Sequence, residues 1–182
     1  RHFNHTLTIE PVENPNRHVA NPNFRHNYAV LRMWQQTQFS RLVVVDADML
    51  VTQSLDRLCE MRLPDGALAA ANNWWTSRRK WDLNVFNAGL MVISPSNNTF
   101  RKLMLRSKSF HSKSGGVQPL LNDVFKGKLW KRLDPFKWGM NANFCYIWLV
   151  SMVNHGNLHS YSNTGVDAIG TQPKPSFGIK LK

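Results

Sequence analysis

Apolar residues along the chain follow two rhythms, one of helical spacing and one of short unbroken runs. The stretch NYAVLRMWQQTQF, Asn27 to Phe39, sets Val30, Leu31, Trp34 and Gln38 at helical spacing, with Asn27 as candidate cap. Leu42 to Val45 then run without a polar break. A run buried on both faces predicts an inner strand of a parallel sheet. ALAAA, Ala67 to Ala71, and VFNAGLMVIS, Val85 to Ser94, are further strand candidates. Pro95-Ser96 opens a predicted helix, Asn97 to Leu105, and a second predicted helix, Gln118 to Phe125, follows the flexible Gly115-Gly116. Residues 1–23, with three prolines, read as an irregular opening segment, and the aromatic-rich remainder ends in the punctuated GTQPKPSFG. There are no internal repeats. Strands alternating with helices imply a layered α/β fold.

Composition narrows the class. At 182 residues, 42% hydrophobic and 19% charged, the chain has the makings of one globular domain with a sizeable core. Its two cysteines, Cys59 and Cys145, are too few for a disulfide scaffold and leave the redox compartment open. No apolar run is long enough for a membrane span, and RHFNHTLTIEPVE lacks the layout of a signal peptide. With no initiator Met, the chain is expected to be a fragment or a processed product. Lys and Arg number 23 against 11 Asp and Glu, a net charge of +12, which suits an anionic partner. The positive charge is spread over Arg78 to Lys80, Lys102 to Lys113 and Lys126 to Lys137, a pattern of solvated faces rather than one stripe. No nucleic-acid signature accompanies it, so nucleic acid is a runner-up to a phosphorylated small molecule.

The candidate chemistry lies in RLVVVDADMLV, Arg41 to Val51, where the buried run ends in Asp46 and Asp48. Ligands in open α/β sheets bind beyond the carboxyl ends of strands. Residues i and i+2 of an extended segment point to one side, so both carboxylates can converge on one object. Paired carboxylates repel unless a cation stands between them, and oxygen ligands favour Mg²⁺ or Mn²⁺. Ala47 between them lets a ligand approach the backbone. The simpler alternative is a solvated turn in which one Asp caps the next segment.

Three segments taken together, VLRMWQQTQFSRLVVVDADMLV, FNAGLMVISPS and GGVQPLLNDVF, in this order and spacing, resemble glycosyltransferase family 8, the glycogenin-like enzymes. The similarity runs over about residues 9 to 175. The resemblance implies a GT-A (Rossmann-like) nucleotide-diphospho-sugar transferase fold, a mixed sheet flanked by helices. It implies that 1–182 is a single glycosyltransferase domain, partial in lacking the first, nucleotide-binding strands. It further implies transfer of a hexose from a UDP-sugar with retention, without a protein nucleophile. Mn²⁺ (or Mg²⁺) would be held by Asp46 and Asp48. Ala47, Asn87, Ala88, Gly89 and Gln118 would address the donor, with Gln118 the one side chain assigned a catalytic part. In DAIGTQPKPSF, Asp167 to Phe177, Asp167 stands where the family has its third metal ligand, a His, with Gly170 and Lys174 at the diphosphate. His159 is the alternative ligand. The implied partners are the UDP-sugar and a carbohydrate or protein-linked acceptor, with a homodimer as a compatible assembly and the cytoplasm or Golgi lumen as compartments.

Two departures bear on catalysis. Val30 replaces a Lys of the family, and Val117 replaces an acid that engages the transferred sugar. Arg25 or Arg32 are the candidates to restore the lost charge. These losses motivate an alternative, a degenerate member that binds sugar and metal without transferring. A third reading, nucleic-acid binding by the +12 surface, requires salt-dependent retention on DNA or RNA. Tyr28, Tyr146 and Tyr161, the three tyrosines, stand in no recognisable acceptor context. Asn4-His5-Thr6 and Asn97-Asn98-Thr99 fit the short N-glycosylation pattern.

Overall fold

In the computed structural model, which describes residues 7–16, 22–49, 51–73, 84–112, 114–127, 130–138 and 178–179, the aliphatic runs become the middle of one sheet. Strands β1 (Leu42–Val45), β2 (Leu68–Asn72), β3 (Phe86–Ile93), β4 (Trp130–Leu133) and β5 (Gly178–Ile179) lie in the order β4-β2-β3-β1-β5. β1 is indeed an inner strand, yet both its neighbours, β3 and β5, run antiparallel to it. β2 is antiparallel to β3 and parallel to β4, so the sheet is mixed. The parallel expectation for β1 fails for a plain reason: an unbroken apolar run reports that both faces are covered, not which way the neighbours run. Edge strand β4 exposes Lys131 and Arg132 between the buried Trp130 and Leu133. Such charges discourage pairing of the edge with another chain.

Two apolar layers flank the sheet. On one side Leu42, Val44, Leu68, Ala70, Phe86, Met91 and Ile93 pack against a 3₁₀ helix, Asn27–Gln35, and against α2 (Asn97–Ser109) and α3 (Val117–Val124). On the other, Val43, Ala69, Leu90 and Val92 meet Leu58 of the short α1 (Asp56–Cys59), and Trp138 of α4 (Pro135–Trp138) packs on the same cluster. The segment expected as an α-helix from Asn27 winds more tightly, and His26 rather than Asn27 takes the cap position. With three residues per turn, side chains at i and i+3 eclipse. Tyr28, Leu31 and Trp34 accordingly form one line, each at 0% exposure, with Trp34 stacked on Phe125 of the α3 end. α2 extends beyond the expected Leu105 to Ser109, and α3 begins one residue before Gln118. β4 carries no alternation in the sequence and was hidden in the aromatic-rich remainder.

β3 is irregular where it matters. Ala70 faces Met91 while Asn72 faces Phe86, so β3 spends five steps where β2 spends two. The inward face switches accordingly, from Phe86 and Ala88 to Met91 and Ile93. Bulges of this kind kink a strand and re-aim its side chains, and they collect beside functional sites. Here the extra residues fall on Asn87-Ala88-Gly89. Among the described residues no helix is long and apolar enough to cross a membrane.

Candidate active site

The antiparallel register of β1 and β3 brings the two sequence motifs together. Val45 pairs with Leu90, and the ladder continues one step as the Asp46 N–H donates to the Gly89 carbonyl at 2.8 Å. The acidic pair therefore leaves the carboxyl end of β1 beside the amino end of β3. The chain then turns: the Met49 N–H donates to the Asp46 carbonyl at 3.1 Å. Asp46 and Asp48 thus share a turn rather than the extended segment expected from the sequence. Asp46, Ala47 and Asp48 are exposed, with no protein lid among the described residues. A Cβ at Gly89 would lie 2.9 Å from Asn87 Oδ1, 3.5 Å from Met49 Sδ and 3.6 Å from Asp46 Oδ2. Glycine is what keeps the floor beside the Asp46 carboxylate open.

The two carboxylates act on each other. Loss of water around Asp46, and secondarily the charge of Asp48, push its carboxyl up to about 6. Although Asp46 is exposed as a residue, its carboxyl lies beside Gly89 and has lost part of its water. Two oxygen donors held in mutual repulsion on an open turn suit a hard divalent cation. A proton competes for the same oxygens. Added Mn²⁺ is therefore expected to raise the Tm markedly at pH 7.5 and much less at pH 5, below the Asp46 titration. Without metal the sign reverses: a carboxyl raised in the fold stabilises when protonated, so its contribution is lost as pH rises from about 4 to about 6. Thermal melts with and without Mn²⁺ at the two pH values check both statements. Equal metal shifts at both would remove Asp46 from the site.

α3 holds the β3 bulge in place. Gln118 Oε1 accepts the Ala88 N–H at 2.9 Å, and Asn87 Oδ1 accepts the Gly89 N–H at 2.8 Å. One turn further along, Asn122 Oδ1 accepts the Phe86 N–H at 2.8 Å while its Nδ2 donates to the Phe86 carbonyl at 2.9 Å. The oxygens of Asn87 and Gln118 are thus spent on backbone, and their amide nitrogens are what they can offer a ligand. Asn122, which the sequence reading passed over, replaces a missing ladder partner for β3. Its signal was there: a polar i, i+4 pair, Gln118 and Asn122, bracketing the fully buried Leu120 and Leu121. Asn14 and Asn16, buried at 2% and 3%, were also missed inside the irregular opening segment.

Both departures are apolar in the fold as well. Val30 and Val117 are buried in one cluster with Leu31, Trp34, Leu120 and Phe125. Arg32 does not replace the lost charge: its guanidinium lies 5.5 Å over the Phe100 ring and donates to Gln35 at 3.0 Å. Phe100 belongs to α2, which starts beyond Ile93, at the end of β3 remote from Gly89. Arg25 is exposed and has no described side-chain contact with the acidic turn. Tyr28 is fully buried, with its hydroxyl taking a hydrogen bond from Asn16, and so is closed to glycosylation. Asp167, His159, Gly170 and Lys174, with Tyr146 and Tyr161, lie outside the described residues. Among the described residues no third Asp, Glu, His or Cys gathers with Asp46 and Asp48.

Comparison with known proteins bears on the family and the fold. The model of a family described as glycosyl transferase family 8 matches residues 5–151. UDP-glucuronate:xylan alpha-glucuronosyltransferase 1 of Arabidopsis thaliana is 36% identical over 118 residues, 65% of this chain and 16% of that protein. Glycogenin-1 of Caenorhabditis elegans is 31% identical over 165 residues, 85% of this chain and 35% of that protein. The chain thus spans about a sixth of the plant relative and about a third of the nematode one. Among solved structures, the glycosyltransferase GlyE of Streptococcus pneumoniae superposes on 70% of this chain with a TM-score of 0.51 at 21% identity, covering 32% of GlyE. That likeness establishes the fold, a GT-A-like α/β arrangement.

Proposed function

The chain belongs to glycosyl transferase family 8, and from that premise we propose that it transfers a hexosyl unit from a UDP-sugar, with retention, at a divalent cation held by Asp46 and Asp48. The observation that carries the reading is the step of ladder that sets the acidic turn against the Asn87–Gly89 bulge. Metal carboxylates and sugar-facing amides so adjoin across one hydrogen bond. The residues present fit Mn²⁺ or Mg²⁺: two carboxylates on an open turn, one with its pKa raised partly by the other. When bound, the cation supplies positive charge against the diphosphate leaving group. The chain's own residues do the orienting. Gly89 leaves room beside Asp46, Ala47 gives access to backbone, and the Asn87 and Gln118 amide nitrogens are offered to sugar hydroxyls. Asp167, or His159, completes the cation's shell in this reading, and Lys174 with Gly170 meets the diphosphate. The acceptor in this reading is a carbohydrate or a protein-linked group.

The test is incubation with UDP-glucuronate or UDP-glucose and Mn²⁺, reading UDP release and the anomer of the product by NMR. Metal-dependent UDP release with a retained anomer is the expected result. Neither binding nor turnover of any UDP-sugar, in a protein including whatever precedes Arg1, would overturn the reading. One observation favours a second reading, a sugar- and metal-binding member without catalysis: the burial of Val30 and Val117 in a common apolar cluster.

A further inference from the structure

The segment 7–16 contributes two buried asparagines to a closed hydrogen-bond network far from their place in the sequence. Asn14 Nδ2 donates to the Phe24 carbonyl at 3.0 Å and to the Gly115 carbonyl at 2.9 Å. Asn14 Oδ1 accepts the Asn16 N–H at 2.8 Å and its Nδ2 at 3.4 Å. Asn16 Nδ2 also donates to the Tyr28 hydroxyl at 3.2 Å, and Asn16 Oδ1 accepts the Ser112 N–H at 2.9 Å. Every donor and acceptor group of the two amides is in use, the condition under which a buried polar network rigidifies a structure instead of weakening it.

What the network grips is the link between α2 and α3. It holds Ser112 and Gly115, and Gly115 itself has φ +70°, a conformation that favours glycine. Two residues later α3 begins, with Gly116 at the cap position and no side chain capping it. Locally the Ser112 hydroxyl accepts the Gly115 N–H at 3.0 Å and the Ser114 hydroxyl the Gly116 N–H at 3.5 Å, and the hold from across the chain adds to these. From Gly115 the path to the site is short: Gln118 Oε1 on the Ala88 N–H, then Gly89, whose carbonyl takes the Asp46 N–H.

We propose that Asn14 and Asn16 are positioning residues for the donor-sugar side of the site, setting the start of α3 and through it Gln118 and the Asn87–Gly89 bulge. The proposal rests on the donor reading given above and adds to it a control point that touches no ligand. It distinguishes the two halves of the donor. Asp46 and Asp48 leave β1 and reach α3 only through the Asp46 N–H on the Gly89 carbonyl, so the diphosphate side is the less affected. The sugar side depends on Gln118 directly.

Asn14→Ala removes the grip on Gly115, and Tyr28→Phe removes only the hydroxyl that Asn16 donates to, as a milder variant should Asn14→Ala fail to fold. Leu58→Ala, in the opposite apolar layer with Val45 and Met49, serves as a control for loosening on the side of the acidic turn. Calorimetry with Mn²⁺ compares UDP with UDP-glucose, and amide exchange reads the Ala88 N–H against Val44 and Met91 in the strand centres. The expected result for Asn14→Ala is faster exchange at Ala88 with Val44 and Met91 unchanged. UDP-glucose should bind about tenfold more weakly, the worth of one hydrogen bond, while UDP stays as in the wild type. Tyr28→Phe should give the same pattern at smaller size. The proposal is overturned if Ala88 exchange is unchanged, or if UDP and UDP-glucose weaken together as in Leu58→Ala. If the wild type binds neither ligand, the donor reading falls, and Ala88 exchange alone then decides whether the asparagines position α3.

Discussion

Asp46→Asn is expected to abolish metal-dependent transfer, a fall of about 10³, equivalent to roughly 4 kcal/mol of lost transition-state stabilisation. The same variant should be no less stable than the wild type without metal. The reason is the balance of charges at the turn. Partial loss of water and the neighbouring Asp48 push the Asp46 carboxyl up to about 6, so at neutral pH its ionised form sits in surroundings that oppose it. An amide of the same shape removes that opposition and keeps the Asp46 N–H on the Gly89 carbonyl, since that bond is made by backbone. A carboxylate serving as an ordinary turn cap behaves the other way: neutralising it costs about 1 kcal/mol and changes no metal response. Melting Asp46→Asn and wild type at pH 7.5, with and without Mn²⁺, and measuring UDP release in parallel, separates the two. A variant that loses Tm without metal, or keeps its Mn²⁺ response, would refute the role.

How much of this could be read beforehand differs by element, and the differences have physical causes. β1 matched to the residue because four consecutive aliphatic residues leave one place for a strand and a charged pair ends it. Its direction was not legible, because burial of both faces is the same for parallel and antiparallel neighbours. That missing fact is also what creates the site: only the antiparallel partner puts the start of β3, not its end, next to Asp46. The bulge at Asn87–Gly89 was invisible as well, since every residue after Asn87 in β3 is buried and no alternation exists to be interrupted. Asn14 and Asn16 sat in a stretch whose Pro and Asn content reads as loop, and loop it is; nothing local says that its amides are buried against Ser112 and Gly115. The acidic pair, the Asn-Ala-Gly turn and Gln118 were legible as motifs. Their mutual contact was a property of register.

The second large effect is expected at the two buried valines. Val117→Asp should cost about 3 kcal/mol, because it places a carboxylate among apolar side chains with no partner. Val117 opens α3, and the helix dipole returns about 0.5 kcal/mol to an acid there, too little to offset desolvation. Val30→Lys should be comparably costly, since Val30 is 6% exposed in the same cluster. The starts of the two helices abut: a Cβ on Gly116 would lie 3.7 Å from Asn27 Nδ2 and 3.8 Å from Phe24. A Lys and an acid placed there together can neutralise each other, so the double variant should lose clearly less than the sum, with a coupling of about 1–3 kcal/mol. Denaturant unfolding of the four proteins measures that coupling, and strict additivity would show that the two positions do not meet. The same four proteins decide between transfer and binding alone. If the double variant releases UDP from UDP-sugar much faster than the wild type, the valines are a paired loss of charge that silenced an ancestral site. If the wild type is already fast, the apolar pair is a working solution in which Asp46, Asp48 and the α3-held turn suffice, and restoring charge should then slow the enzyme by loosening the packing that holds Gln118 on Ala88.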